Sequence, residues 1–269
     1  MHAFYDTHAH LDYPEFQPDF AEIRERARAA GIVKMISIGT DAESSKRAVR
    51  LAEEHSEIYA VVGWHPSSAS EAPEDVRPFL HELAKHPKVV AIGETGLDYY
   101  RLPSTQGGTP DDDLREKSKQ AEIFKQHLEV AAALGLNCVI HQRASLEDTL
   151  AQFSPFKGRT RGVFHCFTET PQVRQRVMES GCMVSFTGIL TFKSAEAVRD
   201  SLKACAPGEF MFETDCPYLA PIPYRGKRCE PAYVKEIAEF AALVLNRSLS
   251  DLSRETCAAA ENFFPKLKG

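Results

Sequence analysis

The sequence lacks any apolar run approaching the roughly 20 residues needed to span a bilayer. Its first residues also lack a charged stretch followed by an apolar one. A soluble chain without membrane association is therefore expected. A basic excess is missing too: 32 Lys and Arg stand against 38 Asp and Glu, a formal net charge of -6 with pI near 6.0. That argues against a general polyanion-coating protein, because non-specific nucleic-acid binders usually carry a basic footprint. Only local basic groups remain. "FKGRTR", with Lys157, Arg159 and Arg161, reads as solvated surface charge, while "YRGKR", with Arg225, Lys227 and Arg228, offers a place to meet a phosphate. Seven cysteines, an odd number with no CxxC pair, match neither a disulfide framework nor a zinc ribbon. Reduced thiols in a cytoplasm are expected. No Pro/Gly/Ser-rich linker divides the chain, so residues 1–269 are read as one domain with no obligate protein partner.

Apolar bursts of strand length alternate with longer amphipathic stretches, the pattern of successive βα units feeding a parallel sheet. The bursts are "AFYDTH", "VKMISIG", "IYAVVGW", "VVAIGE", "NCVIH", "RGVFH", "CMVSFTG" and "EFMFETD". Eight is the number that closes a (β/α)8 barrel. Between them, "DFAEIRERARAAG" places Phe20, Ile23 and Ala27 at helical spacing, with Gly31 as the stop. "SLSDLSRETCAAAENFF", capped at Ser248 or Ser250, reads as an additional C-terminal helix. The fold class predicted is α/β, a TIM barrel, with a doubly wound open sheet as the alternative. The polar stretch 101–113, "RLPSTQGGTPDDD", is expected to be a surface loop beside the fourth strand.

In such a barrel the reactive mouth lies at the C-terminal ends of the strands. The first burst ends in His8 and His10, the fourth in Glu94, the fifth in His141, the sixth in His165 and the eighth in Asp215. Positions i and i+2 of a strand project from one face, so "HAH" can chelate one ion. Alone it is a weak signal; its recurrence at the ends of apolar strands, where a polar group would normally be avoided, makes it a metal site. Six donors with two carboxylates exceed what one ion needs and can hold two divalent ions about 3.5 to 4 Å apart, with Glu94 bridging. Such a pair activates water and clamps a substrate oxygen. Asp215 is then the candidate general base.

"FYDTHAHLD", "GETGLDYYR", "VIHQRAS", "VFHCF" and "MFETDCPYL", in this order, together with the looser "GKRCEPAYV", resemble the TatD-type metal-dependent deoxyribonucleases of the amidohydrolase superfamily. The resemblance covers nearly the whole chain. It implies a distorted barrel in which His8, His10, Glu94, His141, His165 and Asp215 bind one to three ions. It further implies cleavage of DNA phosphodiesters, often in the 3′-to-5′ direction, with His65 of "GWHP" near the metals and in reach of a phosphate and Arg143 beside His141. Departures fall at Ser67, where the family often has a second histidine, at Gln142 and Asn137, and at Cys229 in "RCEP". None removes a metal ligand, and they bear on substrate choice.

Among the remaining residues, Tyr99 and Tyr100 could stack on a base or pack under the neighbouring loop. Asp98 could orient a ligand histidine or cap a turn. Lys193 and Arg225 could reach a phosphate, with solvated charge as the plainer reading. His2, His55, His81 and His86 read as surface residues, and His127, on a helical pattern, as structural or solvent-facing. Strand alternation turns Cys166 and Cys216 away from the metals. The expected reaction is metal-dependent hydrolysis of DNA, on single-stranded or frayed ends, with Glu94 and Asp215 as the catalytic carboxylates. The alternative substrate is a carboxylic ester, amide or lactone, including an aminoacyl-tRNA ester. Four histidines suit Zn, Mn, Fe or Ni, while Mg prefers oxygen donors.

Overall fold

The computed structural model describes residues 2–268. Eight parallel strands follow chain order around one sheet: β1 (Phe4–Ala9), β2 (Ile32–Ile38), β3 (Ile58–Val62), β4 (Val89–Asp98), β5 (Asn137–Arg143), β6 (Gly162–Phe164), β7 (Met183–Phe186) and β8 (Phe210–Phe212). The uninterrupted order removes the doubly wound alternative, in which the strand order reverses at a switch point. The seam between β8 and β1 closes past the end of β8. There Asp215 N–H donates to His8 C=O, His10 N–H donates to Cys216 C=O, both at 2.9 Å, and Ala9 bridges Cys216 in parallel. Closure therefore brings the first and last polar strand ends side by side. Register shifts in the β1–β2, β3–β4 and β4–β5 pairs distort the barrel.

Alternate residues face alternate layers, as a pleated strand requires. Ile36, Ile38, Val61, Val90, Val139 and Met211 form the inner core. Met35, Ala60, Ile92, Ile140, Val184 and Phe212 face the helices. Helices α1 (Phe20–Ala29), α2 (Ala42–Glu54), α3 (Arg77–Leu83), α4 (Pro110–Leu134), α5 (Leu146–Phe153), α6 (Pro171–Glu179), α7 (Glu196–Lys203) and α8 (Val234–Leu245) link or follow the strands. The added helix α9 (Leu249–Phe263) starts at Ser248, whose hydroxyl accepts from Asp251 N–H at 3.0 Å. Its end carries Phe263, Phe264 and Leu267, all fully buried, into the inner core at the N-terminal end of the barrel, where Asn137 meets the Phe263 carbonyl. Each such burial contributes about 1.5–3 kcal/mol. The opposite end is left for the site.

The stretch 101–113 is only partly loop. A short 3-10 turn covers Pro103–Gln106, and α4 already begins at Pro110. The cause is a capping box at Thr109: its hydroxyl accepts from Asp112 N–H, and the Asp112 carboxylate accepts from Thr109 N–H at 2.8 Å. Among the described residues no helix is long and apolar enough to cross a membrane, and all seven cysteines are unpaired thiols.

Candidate metal centre

Glu94 is at the centre of the polar strand ends and is 2% exposed. Its two oxygens face different partners. Oε2 lies 3.3 Å from His8 Nε2 and 3.8 Å from His10 Nε2, and Asp215 Oδ1 stands 3.3 Å from the same His10 nitrogen. Oε1 lies 2.7 Å from His165 Nε2, 3.0 Å from His141 Nδ1 and 3.3 Å from His65 Nε2. All six expected ligands thus converge, and His65 joins them. Asp215 has a left-handed backbone, φ +58, held by its N–H to His8 and by its carbonyl, which accepts from Tyr218 N–H at 3.0 Å.

The donor set fits divalent ions. Both ring nitrogens of His8, and Nδ1 of His10 and of His165, are buried with no hydrogen-bond partner among the described residues, an arrangement folding avoids unless something else satisfies the atoms. His8, His10 and Glu94 offer donor atoms all within 4.8 Å of one another, as do His65, Glu94 and His141. Neutral imidazoles and carboxylates are what such ions bind.

Electrostatics follow the same geometry. Burial pushes the Glu94 carboxyl up, but the facing His165, His65 and His8 outweigh it and hold it well below the usual carboxylate range. Burial works against the charged form of His165 as well, yet Glu94 and Glu213 raise it well above an ordinary histidine. Burial lowers His8 and His65. For Asp215, burial is overcome by the hydrogen bond from His10, so it stays a carboxylate.

Neighbouring residues orient the rings. His141 Nε2 sits 3.2 Å from Asp98 Oδ2, which places the proton on Nε2 and turns the Nδ1 lone pair to the centre. Asp98 Oδ1 also accepts from Tyr100 N–H at 2.9 Å, so this one carboxylate both orients the histidine and caps the turn. His65 Nδ1 accepts from Ser67 N–H at 3.0 Å, which leaves the proton of the neutral ring on Nε2, facing Glu94 and His141. Glu213, not singled out from the sequence, is 1% exposed and accepts from Ser185 Oγ at 2.6 Å and Cys166 N–H at 2.5 Å. Its signal was an acid within the apolar burst "EFMFETD". His127 is structural: fully buried, it accepts from Trp64 N–H at 2.9 Å and donates to Ile123 C=O at 2.8 Å.

A cavity of about 1470 Å³ opens over the cluster and runs along the start of α4. Arg143 is on its wall, its guanidinium 3.8 Å over the Tyr100 ring. Arg101 and Lys119 also line it. Three expected substrate contacts are placed elsewhere. The Tyr99 hydroxyl donates to Asp148 Oδ2 at 3.0 Å with Lys117 over its ring, because the chain after β4 turns that ring toward α4 and α5. Arg225 is spent on the face of Phe192 at 3.7 Å, and Lys193 is exposed on the segment after β7, off the cavity wall. Cys166 also departs from expectation. Strand β6 ends at Phe164, and Cys166 has φ +47, so alternation no longer applies and the residue borders the cavity.

A profile of the family described as TatD related DNase matches residues 5–265. The uncharacterized metal-dependent hydrolase YabD of Bacillus subtilis is 35% identical over 97% of this chain and 98% of its own. The 3'-5' ssDNA/RNA exonuclease TatD of Enterobacter lignolyticus is 33% identical, over 94% of this chain and 95% of its own. Among solved structures, YjjV, a TatD homologue from Escherichia coli K12, superposes with a TM-score of 0.87 at 25% identity, covering 97% of this chain and 98% of that one. With matches over nearly the full length and the expected barrel in place, this chain belongs to the TatD related DNase family and is a metal-dependent hydrolase.

Proposed function

We propose that this hydrolase cleaves phosphodiester bonds of DNA, working 3′-to-5′ on single-stranded or frayed ends. The observation that carries the reading is the division of Glu94: one oxygen faces His8 and His10, whose Nε2 Asp215 also meets, and the other faces His141 and His165. The first group would hold one divalent ion and the second another, with Glu94 between them. Ions bound there supply Lewis-acid polarisation of a phosphoryl oxygen and activation of water. Asp215, kept ionised, orients the attacking water and accepts its proton. His65 Nε2–H, directed inward by the Ser67 amide, donates to a non-bridging oxygen as negative charge develops on it. Asp98 keeps His141 in the tautomer that binding needs.

DNA as substrate is supported by the relatives named as ssDNA/RNA exonucleases and by the cavity wall. Among the described residues eleven arginines form ion pairs with carboxylates, Arg47, Arg77 and Arg228 among them, but Arg101 and Arg143 on the wall do not. Cations without a carboxylate partner on the wall of this cavity suit a second phosphate of a polyanion. The test is metal-reconstituted protein on end-labelled single-stranded DNA, beside His141→Ala and Asp215→Ala prepared identically. Stepwise shortening from the 3′ end is expected only in wild type. Equal activity in all three would mark a contaminant, and turnover of carboxylic esters or lactones far above any nuclease rate would favour carbonyl substrates instead.

A further inference from the structure

Of the seven large apolar side chains exposed among the described residues, Tyr218 alone lines the cavity, with 51% of its surface open. Its place is fixed by the backbone. Tyr218 N–H donates to Asp215 C=O, and Cys229 N–H donates to Pro217 C=O, each at 3.0 Å, so the turn bearing the ring is tied directly to the centre. The ring lies 6.3 Å from the His10 imidazole and 6.3 Å from Tyr13, to which it is nearly perpendicular at 82°. Tyr13 in turn stacks on His10 at 4.8 Å. An aromatic corner therefore opens to the cavity against His10, whose Nε2 is 3.8 Å from Glu94 Oε2.

The other tyrosines near the mouth have their faces taken. Tyr100 is covered by Arg143, Tyr99 by Lys117, and Tyr13 by His10. Tyr218 has no cation over its ring among the described residues. A half-open aromatic ring beside a strongly charged centre suits a ligand that joins an anion to a flat, uncharged π system, and a nucleotide has that chemistry. With a scissile phosphate held by ions beside Glu94, the base of an adjoining nucleotide would be one sugar away, in reach of the corner that lies against His10.

We propose that Tyr218, with Tyr13 as the perpendicular side of the corner, is the stacking platform for the nucleobase next to the scissile phosphate. The proposal rests on the phosphodiester reading above and extends it to selectivity. A base paired within a duplex is covered on both faces by its neighbours, so only a base freed from the stack can lie on Tyr218. Preference for single strands and frayed ends then comes from this ring and not from sequence readout.

The test uses metal-reconstituted full-length protein and a single-stranded oligonucleotide with phosphorothioate-protected ends carrying 2-aminopurine at both termini. A matched oligonucleotide has abasic terminal residues. Wild type and Tyr218→Phe are expected to quench the 2-aminopurine and bind with similar affinity. Tyr218→Leu is expected to lose the quenching and to bind the base-bearing strand about five- to a hundredfold more weakly. The abasic strand should be bound equally by wild type and Tyr218→Leu. Wild-type quenching and affinity in Tyr218→Leu, from an enzyme that cleaves single-stranded DNA, would overturn the platform and leave the phosphodiester reading standing. A wild type that neither binds nor cleaves DNA would overturn both.

Discussion

Lowering the pH from 7 to 5 should cost the folded protein about 2 kcal/mol through one side chain, His127. The ring is fully buried, and burial pushes its pKa down from 6.5 to about 4, against the smaller opposing effect of its hydrogen bond to Ile123. The unfolded chain takes up a proton near pH 6.5 while the native state does not until about pH 4. The neutral ring's contribution to stability is therefore complete above pH 6.5 and lost as pH falls toward 4. Across the whole window the loss is about 3 kcal/mol, at 1.36 kcal/mol per unit, and most of it has accrued by pH 5. Urea unfolding of wild type and His127→Gln at both pH values isolates the contribution, since the glutamine carbonyl can still accept from Trp64 N–H but does not titrate. Wild type should lose about 2 kcal/mol more than the variant between pH 7 and 5. Equal losses in the two proteins would refute a neutral, buried His127.

Two further outcomes follow from the site. Asp98→Asn removes the anion that holds His141 and should weaken metal affinity or activity about 10- to 100-fold while the thermal midpoint hardly moves; calorimetric metal titration and the hydrolysis rate measure it. Arg143→Ala should weaken binding of single-stranded DNA and make the slope of log affinity against log salt shallower by about 1, read by fluorescence anisotropy at several salt concentrations.

The barrel and the convergence of the six donor side chains were legible for one physical reason: histidines and carboxylates stand at the ends of strands whose other residues are apolar. Strand periodicity locates such positions, and the parallel order of β1 to β8 brings them to one mouth. Residues of the cavity wall carry no comparable signal, since many lie on connections whose path depends on tertiary packing. Tyr99 and Tyr218 are both tyrosines just beyond a strand-end acid, yet one is turned toward Asp148 and the other opens to the cavity. Cys166 shows the limit of alternation, which ends where the strand ends. The early start of α4 was encoded in Thr109, Pro110 and Asp112, a capping signal hidden in a stretch whose polarity resembled loop.

In the proposed site Glu94 stands between two ions. Crystals grown with Mn²⁺ and measured for anomalous scattering would locate them. Two peaks are expected to flank the Glu94 carboxylate, one among His8, His10 and Asp215 and the other at His141 and His165, with at least one lost in Glu94→Ala. A single peak unaffected by that substitution, or peaks away from these residues, would contradict that arrangement.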